Sequence, residues 1–153
     1  MISSIDYRCN TATASVLADH LKTADARFVP PLGTRVEIDA YARKLVTAAV
    51  RWEAWSGDRL VGLLAGYCND MASSRAFVSS LSVEPNAAGR GVATELLARF
   101  MRTARAAGMR ETALEVAETN IPAVALYRKT GFVVESREDG LARMVLPLVG
   151  GEQ

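Results

Sequence analysis

The stretch VEPNAAGRGVATELL, residues 83–97, combines a proline, two glycines that flank an arginine, and an apolar run with helical spacing. The segment AFVSSLSV at 76–83 predicts a strand before it, and a helix is predicted from Gly91. A glycine loop at the start of a helix leaves backbone N–H groups unpaired, and the helix dipole adds partial positive charge there. The stretch therefore predicts either an anion site or a plain tight turn, and spacing alone leaves both open.

Two common phosphate-binding loops do not fit these residues. A Walker A loop needs a lysine and a serine or threonine directly after its last glycine, and neither follows Gly91. A dinucleotide fingerprint needs glycine or alanine at position 94, which is Thr94, and an acidic residue at the end of a second strand. Glu111 has the required separation but lies in a predicted turn. Both types of nucleotide site are excluded.

Hydrophobic periodicity and turn residues predict the other elements. In chain order they are a strand at 5–8, a helix at 12–24 capped by Asn10 or Thr11, an irregular FVPPLG segment at 28–33, a helix at 37–48, strands at 52–55, 60–67 and 76–83 forming an antiparallel meander, a helix from Gly91 towards Gly108, a strand at 112–116, a helix from Ile121 to Gly131 capped by Asn120, and a hairpin of 132–137 with 141–148. The strand–helix–strand unit at 76–116 requires a parallel pair. We therefore predict an α+β fold with a mixed, mostly antiparallel central sheet flanked by helices.

Composition limits the class of protein. The chain has 153 residues, of which 50% are hydrophobic and 23% charged, which predicts one globular domain over residues 1–150. The formal net charge of +1 gives no reason to expect a nucleic-acid partner. No apolar run approaches the ~18 residues of a membrane span, and no secretion signal is recognisable, so we expect a cytoplasmic protein without a membrane partner. The two cysteines match no metal-binding spacing, so we expect reduced thiols and no metal. Whether the chain forms a homodimer is left open.

Two further motifs carry a family resemblance. Val83 and Pro85 precede the loop AGRGVA at 88–93, and downstream come LEV at 114–116, Asn120, Ala123 and LYRKTGF at 126–132. Together, over residues 76–137, these motifs resemble the GNAT superfamily of acyl-CoA-dependent N-acetyltransferases. One position departs from the pattern: residue 88 is alanine where that superfamily usually carries glutamine or arginine.

The resemblance implies acetyl-CoA as co-substrate and assigns residues to it. Leu81 and Val83 would offer backbone groups to the pantetheine arm, and Asn120 and Tyr127 would lie along the same ligand. The pyrophosphate loop would consist of Ala88, Gly89, Arg90, Gly91, Val92 and Ala93. Seven residues separate Asn120 from Tyr127, which places them on one helical face about 10 Å apart. Equally simple roles are a helix cap for Asn120 and core packing for Tyr127.

The implied reaction is direct attack of an amine on the thioester, with Tyr127 as general acid. Because an alkylammonium is mostly protonated at neutral pH, a base is also required. Glu115 is our first candidate, with Glu84 and Asp70 as alternatives, although each could equally be a solvated carboxylate or a cap. His20 is expected to be a surface or hydrogen-bonded structural histidine.

The acceptor is expected to be an amine of a small molecule or a peptide. Four side chains near the first helices could border its site or simply pack in the core, namely Phe28, Arg35, Tyr41 and Trp55. Three functions are therefore compared: an acetyltransferase, a non-catalytic acyl-CoA-binding or sensing module suggested by Ala88, and a structural domain in which the glycine loop is only a turn.

Overall fold

The protein structure, a computed structural model, describes residues 4–148. Of the predicted domain 1–150, residues 1–3, 149 and 150 lie outside the described part. The helices and strands, numbered in chain order, are β1 Asp6–Cys9, α1 Ala14–Ala24, α2 Ile38–Ala48, β2 Val50–Ser56, β3 Arg59–Tyr67, β4 Arg75–Val83, α3 Val92–Ala106, β5 Glu111–Ala117, α4 Ile121–Thr130, β6 Val133–Glu138 and β7 Leu141–Pro147. FVPPLG is irregular as predicted, with short 3₁₀ turns at Asp25–Arg27 and Leu32–Thr34.

One seven-stranded sheet organises the molecule, in the order β1-β2-β3-β4-β5-β7-β6. The β2–β3–β4 meander and the β6–β7 hairpin are antiparallel, and β4–β5 is parallel. The predicted α+β class with a β-α-β unit is therefore confirmed. None of the helices between residues 4 and 148 combines the length and apolar character that a membrane crossing requires.

The parallel pair opens towards its carboxyl end. Strands β4 and β5 are paired only where 75–78 lies beside 111–114. Beyond this point residues 79–83 have no β5 partner, while β5 continues beside β7 as far as Ala117. The divergence leaves one edge of β4 free, and it lies at the carboxyl ends of parallel strands, where sheets of this kind commonly bind ligands.

Helices cover both faces of the sheet. Helix α3 packs on one face through the fully buried side chains of Leu96, Leu97 and Phe100. On the other face, α1 and α2 contribute Leu17, Leu21 and Leu45 to a second core cluster. Gly66 on β3 allows α3 to approach, because a Cβ there would lie 2.6 Å from the ring of Phe100.

The start of α1 differs from the prediction. Thr13, rather than Asn10 or Thr11, caps the helix by accepting a hydrogen bond from the N–H of Val16. Strand β2 occupies both predicted caps: Asn10 accepts from the N–H of Arg51, and the hydroxyl and N–H of Thr11 donate to the buried carboxylate of Glu53. Because of these long-range contacts the helix begins at Ala14, two residues later than predicted. Local sequence rules do not contain such contacts and could not predict the later start.

Candidate active site

At the free edge of β4 lies a cavity of about 580 Å³, a volume within the range of small-molecule sites. Four separate segments form its wall: the chain that follows α1, the end of β4, the loop leading into α3 with the first turn of that helix, and the first two turns of α4 with the residues before them. Its lining residues are Arg27, Phe28, Val29, Leu81, Ser82, Val83, Ala87, Ala88, Gly89, Gly91, Val92, Ala93, Thr94, Thr119, Asn120, Pro122, Ala123, Leu126 and Tyr127. All the residues that the resemblance assigns to acetyl-CoA line this cavity, with the exception of Arg90.

The loop before α3 has the backbone that an anion site requires. Gly89 and Gly91 have φ of 79° and 77°, in the left-handed region that favours glycine. A Cβ built on either residue would meet no atom within 4 Å, so both face open space. Gly91 is the N-cap of α3, and no side chain caps that end within the described residues. The first-turn N–H groups of Val92 and Ala93 are therefore available to a ligand.

Arg90 and Ala88 contribute differently from these glycines. Arg90 is exposed and is not among the lining residues, so its guanidinium is not part of the cavity wall. Ala88 lines the cavity with a methyl group, where the GNAT superfamily that the loop resembles usually carries glutamine or arginine. Backbone groups and the α3 dipole, rather than side-chain charge, thus dominate this end of the cavity.

Helix α4 presents Asn120 and Tyr127 to the same cavity. Asn120 is the N-cap, since its Oδ1 accepts a 3.3 Å hydrogen bond from the N–H of Ala123. Tyr127 is only 8% exposed and stacks edge-on against Phe132, with 5.7 Å between the ring centroids. Both residues therefore combine a structural role with a place in the lining.

Burial makes the Tyr127 hydroxyl a weak acid. Desolvation raises the pKa of Tyr127 to about 12, because the phenolate form would lose its hydration. No other described residue pairs with this hydroxyl. The group is thus protonated at neutral pH and has its O–H available to a ligand.

Glu115, the first candidate for the base, lies elsewhere. The alternation of β5 directs Leu114 and Val116 into the core beneath α3 and places Glu115 on the opposite face. There it accepts a 2.7 Å hydrogen bond from Arg143 and lines a separate cavity of about 310 Å³. The structure does not bring Glu115 to the main cavity, and this placement argues against its assignment as the base.

The other predicted residues divide into three groups. Phe28 lines the main cavity, next to Arg27 and Val29, which the sequence reasoning missed. Trp55 is buried in the α1–α2 core cluster. Outside the lining, Arg35 is exposed, Tyr41 hydrogen-bonds to Ser79, and Asp70 accepts from Ser73 in a turn.

Sequence reasoning also missed a buried polar chain beside the cavity. Ser82 lies 2.9 Å from Nε2 of His20, whose Nδ1 lies 3.5 Å from a carboxylate oxygen of Glu84. Arg59 donates a 2.8 Å hydrogen bond to the other oxygen of Glu84. Helical spacing held a signal for His20, since it follows Leu17 by three residues and precedes Ala24 by four on the buried face of α1.

Glu84 is therefore not the solvated carboxylate that was considered. Burial by itself raises the pKa of Glu84, but its contacts with His20 and Arg59 outweigh that effect and leave the pKa below its ordinary value. Glu84 is thus a carboxylate at neutral pH even though it is 2% exposed.

Cys9 and Cys68 are both free thiols. Burial raises the pKa of each, which makes them poor nucleophiles at neutral pH. Among residues 4–148, no cluster of three or more histidine, cysteine or acidic side chains has the geometry to hold a metal ion.

A family model described as "Acetyltransferase (GNAT) family" matches residues 18–132. Among solved structures, a protein assigned to the GNAT family from Desulfovibrio desulfuricans has a TM-score of 0.77 and 17% identity, over 95% of this chain and 99% of that one. PaiA N-acetyltransferase from Thermoplasma acidophilum in complex with coenzyme A gives 0.76 and 17%, with the same coverage of 95% and 99%. The structure of yncA from Salmonella typhimurium with its cofactor acetyl-CoA gives 0.72 and 18%, over 95% of each chain. Comparison with curated protein sequences gave no significant match.

Proposed function

This chain belongs to the acetyltransferase (GNAT) family, and on that premise we propose that it transfers the acetyl group of acetyl-CoA to a primary amine. The observation that carries the proposal is the convergence of β4, the glycine loop and α4 on one cavity. The structures similar to this one that contain coenzyme A or acetyl-CoA support the choice of co-substrate.

The lining fits the parts of acetyl-CoA. N–H groups between Gly89 and Ala93 would hold the diphosphate, where the two glycines leave the space that side chains would otherwise fill. The free edge of β4 at Leu81 and Val83 would pair with the amides of the pantetheine arm, as an added strand does. When bound, acetyl-CoA supplies the thioester that the amine attacks.

Tyr127 serves as general acid towards the departing sulfur. Its O–H donates a hydrogen bond as negative charge develops there. A thiol has a pKa of about 8.5, so full proton transfer from a phenol of pKa about 12 would be uphill by about 5 kcal/mol. Most of the rate gain therefore comes from the hydrogen bond, for which hydrogen bonds to charged groups suggest about 1.5–3 kcal/mol.

A backbone N–H near Leu81 polarises the thioester carbonyl. The basis is again the β4 edge, where residues 79–83 are not paired to β5. A fixed backbone donor needs no reorganisation when the carbonyl oxygen gains negative charge, and one such donor is typically worth about 3 kcal/mol.

The test is release of free thiol from acetyl-CoA with a panel of amines, including small alkylamines, amino sugars and peptides with a free N-terminus. Amine-dependent release with formation of the acetylated amine is the expected result. The runner-up, a non-catalytic acyl-CoA-binding module, is favoured by the alanine at position 88. That alternative predicts CoA binding with no release above the buffer rate for any acceptor.

A further inference from the structure

We propose that Ser82, His20 and Glu84 form a proton relay that deprotonates the acceptor amine. The inference rests on the proposed function and assigns the base that the reaction requires. Ser82 lines the main cavity, whereas His20 and Glu84 are buried behind it. The relay thus begins at the cavity wall and ends in the protein interior.

The geometry of the relay sets the direction of its hydrogen bonds. Nε2 of His20 is 2.9 Å from Oγ of Ser82, and Nδ1 is 3.5 Å from Oε2 of Glu84. A carboxylate next to Nδ1 favours the tautomer that carries the ring proton there. Nε2 is then an acceptor, and the Ser82 hydroxyl donates to it. The lone pairs of Ser82 Oγ are then not used by His20, and the ammonium group of the acceptor would approach them from the cavity that Ser82 lines.

The transfer is balanced in protons and charge. Ser82 Oγ takes a proton from the ammonium nitrogen while its own proton passes to Nε2 of His20. One N–H bond of the ammonium and one O–H bond break, and one O–H bond and one Nε2–H bond form. The products are the neutral amine and an imidazolium, and the relay later returns the proton to solvent by the reverse path.

Glu84 is a positioning residue that stabilises the charged imidazole. Its side chain is 3% exposed, so its interaction with the imidazolium is weakly screened. Arg59 binds the second carboxylate oxygen from β3, with its own side chain 59% exposed. Glu84 contacts His20 directly, whereas Arg59 contacts Glu84 and not His20. The guanidinium of Arg59 keeps the Glu84 carboxylate ionised and oriented.

Apolar side chains in place of His20 and Glu84 would avoid the free-energy cost of burying polar and charged groups. Two charged or titratable side chains that are each 2% exposed incur a desolvation cost, and one has a ring nitrogen without a well-formed hydrogen bond, Nδ1 of His20. A functional demand for a proton acceptor at the cavity explains why the cost is tolerated.

Ser82→Ala tests the relay, with Ser80→Ala as the matched control. Ser80 lies on the same face of β4 and is buried, its hydroxyl has no partner among residues 4–148, and it does not line the cavity. At pH 7 we expect Ser82→Ala to lower kcat/KM for an alkylamine about 10²-fold, a typical general-base contribution, with unchanged affinity for CoA. Near pH 10 roughly a third of an alkylamine with a pKa of about 10.4 is already neutral, so the deficit should shrink to a few-fold. Ser80→Ala should follow the wild-type pH profile throughout.

The outcomes are distinct. A Ser82→Ala profile that is parallel to the wild-type profile at all pH values overturns the relay but leaves the acetyltransferase proposal intact. Wild-type protein that releases no thiol with any amine overturns both. His20→Asn provides a second variant that should reproduce the pH-dependent loss, and thermal unfolding of each variant verifies folding. If His20→Asn does not fold, Ser82→Ala alone decides.

Discussion

Replacement of Tyr127 by phenylalanine separates chemistry from packing at the centre of the cavity. The phenylalanine ring keeps the edge-on contact with Phe132 and loses only a hydroxyl that no other described residue pairs with. Removing an unpaired, mostly buried hydroxyl also removes its desolvation cost. We therefore expect the free energy of unfolding to stay the same or to rise by up to about 1 kcal/mol.

Catalysis should respond in the opposite direction. If the hydroxyl donates to a developing thiolate, its loss raises the barrier by about 1.5–3 kcal/mol, the range for hydrogen bonds to charged groups. At 1.36 kcal/mol per factor of ten, kcat should fall about 10- to 150-fold. Because the charge is absent from the ground state, KM for acetyl-CoA should change little.

The assay is steady-state thiol release at saturating amine, together with urea denaturation of both proteins. Tyr67→Phe is the control, since Tyr67 lies at the far end of β3, is half-buried, and lines neither cavity. Unchanged kcat in Tyr127→Phe would refute the proposed acid. A loss of stability of 2 kcal/mol or more, well beyond the precision of such measurements, would show that the hydroxyl has a structural partner instead.

Three further predictions concern the loop, the buried carboxylate and the core. Gly91→Asp should weaken CoA binding on the order of 10²-fold, since a carboxylate about 5 Å from a phosphate costs about 3 kcal/mol at an effective dielectric constant of about 20. Calorimetry measures the Kd, and Gly57→Asp, at another open left-handed position, should leave it unchanged. The folded-state pKa of Glu84 is lowered, so the ionised carboxylate stabilises the fold above the unfolded pKa of about 4.3, and this stabilisation is lost as the pH falls through the folded-state pKa. The difference in unfolding free energy between wild type and Glu84→Gln should therefore narrow from pH 6 to pH 3. A difference that stays constant with pH would contradict the ionised state of Glu84. Gly66→Ala should destabilise the fold by about 1–3 kcal/mol in denaturant melts, because its Cβ would lie 2.6 Å from a buried aromatic ring and 2.7 Å from a backbone oxygen. Gly33→Ala is the control: the nearest atom to its Cβ would be at 3.5 Å, so the free energy of unfolding should change by less than about 0.5 kcal/mol.

Much of the fold could be predicted because local signals and tertiary contacts agree. The apolar face of α3, the glycine turn at 57–58, and the cap at Asn120 each specify their element without distant contacts. The predicted N-cap of α1 was wrong because residues distant in sequence bind the polar groups that would cap the helix. Thr11 and Asn10 have the chemistry of helix caps, but contacts with β2 occupy both.

The candidate site shows the same division. The glycine loop and Tyr127 could be assigned to one candidate site because their motifs are contiguous, and both line the same cavity. For Glu115, strand alternation in the sequence predicts a side chain that faces away from the core, but it does not predict which groups lie in front of that face. The Ser82–His20–Glu84 chain joins β4 and the residue after it to α1 across 62 positions of sequence, so that no local pattern could have predicted it.

The most direct test of the account is a crystal structure of the protein with coenzyme A. The account predicts diphosphate oxygens within about 2.7–3.2 Å of backbone nitrogens between Gly89 and Ala93, with the pantetheine arm beside residues 81–83 and the thiol near Tyr127. Coenzyme A bound at another surface, with an empty glycine loop at saturating ligand, would contradict it.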